Sequence, residues 1–343
     1  MSPLTLLLAA VGALTSTASA ATLSVDPSST TAYATIQDAI DAATTGDTIT
    51  VVAGTYTECL NLGGLDLTIT GAASSTTTLD GAGACDTAIV AEGGETLDMS
   101  GFTVNNSGGS GLVTLNSDIT LDDMVLDDMG DSSGYMYGGA IDLDGGSLVI
   151  TDSSFSTNEA YLGGAIYATN GASVDLDTVT FDGNSASYGG AVFLDDGTRG
   201  SATLTAASCE FTSNLAGYYG GAVYGDNESV ITLTSNTWES NATDYYNGGA
   251  VFLDDDAILD SDGDTFSDNI AGISYSGYGG SVYGSSGSEI TIASGTFSGG
   301  SAYAGGEVYV GSGTLEVSDS DFEASSTSSG SGGAIYAYYT DLD

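Results

Sequence analysis

Carboxylates are the only reactive groups that this sequence supplies in quantity. Its 343 residues hold 46 Asp and Glu against one basic residue, Arg199, with no Lys and no His, for a net charge of −45. That balance excludes nucleic acid as a partner, because phosphate binding needs clustered Lys or Arg. Attraction to anionic membranes fails for the same reason. A thiol nucleophile would lack an activating base, so Cys209 reads as a buried spare thiol. Two uses of carboxylates survive. A pair of them can hydrolyse a glycosidic bond, although no pair stands out from the background of Asp. Carboxylates at alternate positions around a glycine turn can also hold a hard cation. Asp254-Asp255-Asp256, then Asp260-Ser261-Asp262-Gly263-Asp264 and Asp268, follow that pattern. Asp260, Asp262, Asp264 and Asp268 are therefore the candidate calcium ligands, set against a plain solvated acidic face. Ser261 is irregular, since it occupies a column that elsewhere holds Leu176, Leu233 and Ile292. Calcium is the one cofactor that the sequence suggests.

These residues sit on a repeat. A glycine pair begins at Gly138, Gly163, Gly189, Gly220, Gly248, Gly279, Gly305 and Gly332, at steps of 25, 26, 31, 28, 31, 26 and 27 residues. After each pair come a small residue, Ile or Val, and usually an aromatic. A second aromatic follows further on (Phe155, Phe181, Phe211, Trp238, Phe266, Phe297, Phe322), and three residues beyond it stands Asn158, Asn184, Asn214, Asn241 or Asn269. Segments such as Ser173-Val174-Asp175-Leu176-Asp177 alternate with period two, as strands do. About three short strands per unit, with no room for helices, predict an all-β fold: a parallel β-helix of roughly eleven rungs.

Parity assigns the sides. The Ile/Val column (Ile141, Ile166, Val192, Val223, Val251, Val282, Val308, Ile335) admits no polar residue and points inward. The small-residue column before it admits Ser281 and Glu307 and is expected outside. The column after it is then also outside, which predicts a solvent-facing ladder of Tyr167, Phe193, Tyr224, Phe252, Tyr283, Tyr309 and Tyr336. Such a row either stacks on itself or binds a glycan or a cell-surface protein. The Phe/Trp column is expected to stack inside. The asparagines behind it are expected to form an amide ladder that ends where Gly300 and Ser325 replace Asn.

Residues 1–20 read as a signal peptide: Leu4 to Leu14 is an apolar run too short to span a bilayer, and Ala18-Ser19-Ala20 offers a cleavage site. The mature chain is thus expected outside the cell or on its surface, with no direct membrane insertion. Residues 21–46 form the expected N-terminal cap, in which Ile36, Ala39, Ile40 and Ala43 share one helical face and Thr35 starts the helix. Residues 47–343 carry the repeats, and the chain stops mid-unit at Asp343 with no capping element. Cys59 and Cys85 are 26 residues apart, about one coil, a spacing that permits a disulfide between neighbouring rungs.

Gly163-Gly164-Ala165-Ile166 together with Phe181-Asp182-Gly183-Asn184 resembles the polymorphic outer membrane protein repeat of chlamydial-type autotransporter adhesins. Ala34 to Glu58 is similar to the cap and first rung of pectin-lyase-like proteins, a resemblance that implies a right-handed parallel β-helix. The resemblance implies a secreted or outer-membrane-associated, adhesin-like passenger or surface rod with no catalytic role. Its rivals are a carbohydrate-active β-helix enzyme, hydrolase or lyase, and a purely structural spacer. Family lyases imply a basic proton acceptor, and only Arg199 is present; polygalacturonase-like sites imply a His, and methylesterase sites imply Gln and Arg beside paired Asp. The single Gln is Gln37, in the cap. On these grounds the sequence predicts no enzyme.

Overall fold

A computed structural model describes residues 19–81, 85–131, 135–328 and 330–342. Residues 1–18, nearly all of the expected signal peptide, lie outside the described part. The rest winds into a parallel β-helix of about 11 turns with very little helix. Every strand pairs in parallel with the equivalent strand one coil away, as in Ile166↔Val192, Val192↔Val223 and Val223↔Val251. No helix of the described residues is long and apolar enough to cross a membrane.

The glycine pair makes the sharpest corner of the coil. Gly189 has φ of +59°, the left-handed region that glycine enters without penalty. A Cβ on Gly190 would stand 2.1 Å from the carbonyl oxygen of Gly221 in the next coil. The first glycine sets the bend and the second lets two coils close on each other.

Most coils of the repeat have four strands where about three were expected, for example Ile166–Thr169, Ser173–Asp177, Thr180–Asp182 and Ser185–Tyr188; in the coil that begins at Val251 the fourth is a single bridge at Ile270. The fourth lies between the asparagine and the glycine pair. Its sequence does not alternate, and it carries a register shift between Ala186 and Tyr188 where the next coil is one residue longer. Period two therefore could not reveal it.

Inside, the Ile/Val column is fully buried from Ile141 to Val308. Phe155, Phe181, Phe211, Trp238, Phe266, Phe297 and Phe322 stack with centroids 4.0–5.6 Å apart. The asparagine ladder is continuous. From Asn184 to Asn269 each Oδ1 accepts the backbone N–H and the side-chain amide of the asparagine one coil before, as Asn214 does from Asn184 at 3.0 Å each, and Asn158 Oδ1 accepts the Met129 N–H.

The small-residue column is not outside. Ala191, Ala222, Ala250, Ser281 and Glu307 are all 0% exposed. The two polar members continue the ladder where Asn is missing. Asn269 Nδ2 donates to Ser281 Oγ at 3.4 Å, and Ser281 Oγ donates to Glu307 Oε2 at 2.6 Å. The other Glu307 oxygen accepts the Gly300 N–H at 2.8 Å and the Ser325 hydroxyl at 3.0 Å. A carboxylate from the next corner thus fills the place that Gly300 leaves empty.

The cap follows the expected design. The helix Ile36–Ala42 buries Ile36, Ala39 and Ile40 against the first coil, and Thr35 Oγ1 accepts the Asp38 N–H at 3.0 Å. Glu58 adds to this from the first coil, its carboxylate accepting the N–H groups of Ile36 and Gln37 at 2.9 and 2.8 Å. An anion there satisfies two of the helix's free donors. The Cys59–Cys85 disulfide is formed with Cα atoms 5.8 Å apart, and Cys209 is free and buried. Burial pushes the Cys209 thiol up to about 11, which keeps it protonated and unreactive at neutral pH.

Candidate functional site: a carboxylate row beside an aromatic corner

The expected exposed ladder is corrected. Tyr167, Phe193, Tyr224 and Phe252 are 9, 5, 7 and 3% exposed, and Tyr283, Tyr309 and Tyr336 are half-buried. Parity holds, since these rings form a cluster separate from the interior core. They are covered because the fourth strand meets the glycine-pair strand at the corner and lays its own side chains over them: Leu162, Tyr188 and Tyr219. Tyr219 stands 4.6 Å from Phe252 and Tyr188 6.1 Å from Tyr224, centroid to centroid. Truncating Phe252 to alanine is therefore expected to cost about 3 kcal/mol, the loss for a packed aromatic. Urea unfolding measures it; a cost below about 0.5 kcal/mol, as for a surface side chain, would contradict the packing.

Beyond that column, the turns that leave the glycine-pair strand place acids in file. Leu194 pairs with Gly225 and Gly225 with Leu253, so Asp195, Asp226 and Asp254 follow one another on three consecutive coils. Adjacent members are one strand spacing apart, ~4.8 Å along the rod. Asp195 is held on both oxygens: Tyr167 Oη donates to Oδ2 at 3.0 Å and the Asp196 N–H to Oδ1 at 2.9 Å. Asp254 Oδ1 accepts the Ser285 hydroxyl at 2.6 Å. Asp226 accepts the Asn227 N–H at 3.1 Å. Burial, then the charges of Asp195 and Asp254, push Asp226 up to about 6. Nearer the N-terminus, burial followed by Asp144 and Glu92 pushes Asp142 up to about 7.

The outer rim of this row is a shallow cavity of about 350 Å³ lined by Asp196, Gly200, Ser201, Asn227, Glu228, Asp255 and Asp256. Arg199 is exposed on the loop beside it, which folds back over earlier coils. Its guanidinium donates to Asn116 Oδ1, and the Thr198 N–H to Asn170 Oδ1 at 2.7 Å.

The four expected calcium ligands do not converge. Asp260 and Asp262 lie on the outer face of Ile258–Asp262, and Asp268 is exposed at a turn. Asp264 faces the interior at 0% exposure, where Oδ1 accepts Asn236 N–H and Nδ2 at 2.8 Å each and Oδ2 accepts the Ser261 hydroxyl at 2.5 Å. Ser261 breaks its apolar column to meet this carboxylate. Among the described residues no group of three or more His, Cys, Asp or Glu could hold a metal.

The description "right handed beta helix region" matches residues 67–284, well over half of the sequence. The chain belongs to the right-handed β-helix family. No curated protein matches this β-helix at a significant level. Among solved structures, the A-module of Azotobacter vinelandii mannuronan C-5 epimerase AlgE4 is similar over 90% of this chain and 94% of its own. Its identity is 14% and its TM-score 0.50. Pectin methylesterase PemA from Erwinia chrysanthemi is similar over 71% of this chain and 82% of its own, at 12% identity and a TM-score of 0.41. The catalytic domain of a GH87 alpha-1,3-glucanase is similar over 93% of this chain and 67% of its own, at 12% and 0.42. Likeness at this level carries the fold alone.

The exclusion of catalysis is corrected, because the fold is shared with an enzyme module, that of AlgE4. Membership in the right-handed β-helix family therefore gives no ground for reading the chain as non-enzymatic. The narrower adhesin resemblance rests on its repeat motif alone. Function has to be argued from the site. The signal for that site was present in sequence: Asp195, Asp226 and Asp254 each stand three residues after the Ile/Val column in three successive repeats. The general abundance of Asp hid it.

Proposed function

We propose that this right-handed β-helix is a carbohydrate-active protein that hydrolyses a neutral polysaccharide at the Asp195–Asp226–Asp254 row. The observation that carries the reading is Asp226, held protonated up to about pH 6 by burial and by a carboxylate on each side. A carboxylic acid of that kind can protonate a leaving glycosidic oxygen while a neighbouring carboxylate attacks or stabilises the sugar. Asp226 is the acid. Asp254, with one oxygen steadied by Ser285, is the nucleophile. Asp195, engaged on both oxygens, sustains the proton on Asp226. One strand spacing is close to the ~5 Å separation of carboxyl groups that gives retention of configuration. Charge selects the substrate: 46 acids against one Arg repel a polyuronate and leave a neutral glycan. The Cys59–Cys85 bond supports export to an oxidising compartment.

Reducing-end release from neutral glucans, xylans and mannans tests this. Asp226→Asn is expected to lower turnover at least about 100-fold with the fold intact, and wild-type activity should fall above about pH 6 as the acid loses its proton. Unchanged turnover in Asp226→Asn, or no cleavage of any neutral polymer, overturns the proposal.

A further inference from the structure

The stretch leading into each glycine pair, where the fourth strand lies, carries a second file of aromatics, which sequence parity missed. Tyr135, Tyr161, Tyr188, Tyr218, Tyr245 and Tyr275 stand on six consecutive coils. Successive ring centroids are 5.2, 5.9, 5.2, 5.8 and 5.3 Å apart. Unlike the covered column, this file reaches solvent: Tyr135 is 81% exposed, Tyr218 38%, Tyr245 37% and Tyr275 66%. Neighbouring rings pack edge-on or tilted for the most part, as aromatic pairs at these separations do, and Tyr135, Tyr218, Tyr245 and Tyr275 keep part of each ring open to solvent. Beside the file runs a trough of about 340 Å³ whose lining includes Glu159, Ser185, Ser187, Gly217, Asp244 and Ile273. Small side chains make it shallow, and Glu159, Asp244, Ser185 and Ser187 give it hydrogen-bonding groups. Tyr219 ties the file to the carboxylate row: its ring lies 5.9 Å from that of Tyr188, and the field of Asp254 reaches it.

We infer that this tyrosine file and its trough bind an extended neutral polysaccharide along the rod. The inference deepens the proposed function, rests on its ligand being a carbohydrate, and names where the polymer lies. One pyranose unit of an extended chain is about as long as one coil is high, so a sugar can meet a ring at each turn. The C–H face of a pyranose suits an aromatic surface, while its hydroxyls need the acceptors that the phenols, Ser185, Ser187, Glu159 and Asp244 provide. A net charge of −45 disfavours polyanions and equally a second copy of this chain. An exposed aromatic run of this length is the kind of surface that marks a binding site.

Affinity electrophoresis in gels containing laminarin, mixed-linkage β-glucan, xyloglucan or pullulan, with alginate as the anionic control, tests it. The wild-type protein is expected to be retarded by at least one neutral polymer and not by alginate. The triple variant Tyr218→Ala, Tyr245→Ala, Tyr275→Ala should lose at least tenfold in affinity, and Tyr275→Ala alone, at an exposed ring whose loss leaves the coil intact, should lose a measurable part. Asp226→Asn should bind like wild type. If Asp226→Asn keeps full turnover while the tyrosine variants lose binding, the hydrolase reading fails and this inference stands. Equal retardation of wild type and Tyr275→Ala together with the folded triple variant overturns it. So does wild type retarded by no neutral polymer, or migration that shifts with protein concentration alone.

Discussion

Replacing Asn214 by alanine is expected to remove about 3–5 kcal/mol of stability, a large fraction of the ~5–15 kcal/mol that a folded domain holds. The side chain is fully buried, and its Oδ1 accepts two hydrogen bonds from Asn184 while its Nδ2 donates to Phe181 O at 3.0 Å and Asn241 Oδ1 at 2.9 Å. Alanine would leave the Asn184 N–H and the Phe181 carbonyl without these partners, sealed from water, at about 1–3 kcal/mol each. A small void behind the core aromatics adds to that. Because every coil contacts only its neighbours, the damage falls at one junction, and unfolding should lose cooperativity there and separate the two halves of the rod. Urea titrations followed by far-UV dichroism measure both effects. A cost below about 1 kcal/mol with one sharp transition would show that the ladder is decoration on a rod held by its apolar columns.

What could be read in the sequence was whatever recurs as an identity at a fixed spacing. The glycine pairs, the Ile/Val column, the Phe/Trp stack and the asparagines each repeat because one geometry is reused in every coil. The fourth strand escaped because Ser185–Tyr188 and Leu215–Tyr219 neither alternate nor keep one length. With it went both aromatic results: that Tyr224 and Phe252 are covered, and that Tyr218, Tyr245 and Tyr275 are not. Parity tells which side of a strand a residue takes; it does not tell what packs on that side. Polar departures misled in a similar way. Ser281 and Glu307 looked like evidence of an outward column, yet they stand in the coils where the ladder loses its Asn at Gly300 and Ser325. Two departures from a repeat at one height of the rod compensate each other through space. Ser261 with Asp264 follows the same rule, and reading Asp264 as a calcium ligand mistook an interior hydrogen bond for a surface site.

Lowering the pH from about 8 to about 5 is expected to stabilise this protein, against the usual direction of acid denaturation. Burial is the first cause of the raised carboxyls: Asp142 to about 7, Asp226 to about 6, and Asp264 and Glu307 also upward. An acid whose folded pKa lies above its unfolded value of ~4 binds its proton more tightly in the fold. Its contribution is complete below about pH 4 and is lost as pH rises through the folded value, here through about 6 for Asp226 and about 7 for Asp142. Across that window each proton taken up on folding changes stability by about 1.4 kcal/mol per pH unit. Repulsion among the 46 acids has the same sign, since protonation relieves it. The opposite contribution comes from Asp26, Asp47 and Glu95, which hydrogen bonds hold below their ordinary values. Their stabilisation is present above about pH 4 and is lost only below it, so the maximum should fall near pH 5. Thermal melts at fixed ionic strength, which keeps screening constant, test the curve. A melting temperature that falls steadily from pH 8 to pH 5 would refute the buried acids as its source. Glu307→Gln isolates one of them. A neutral amide keeps an acceptor for the Gly300 N–H and loses the group whose proton the fold binds more tightly, so the variant's stability relative to wild type should be greater at pH 8 than at pH 5, flattening the profile.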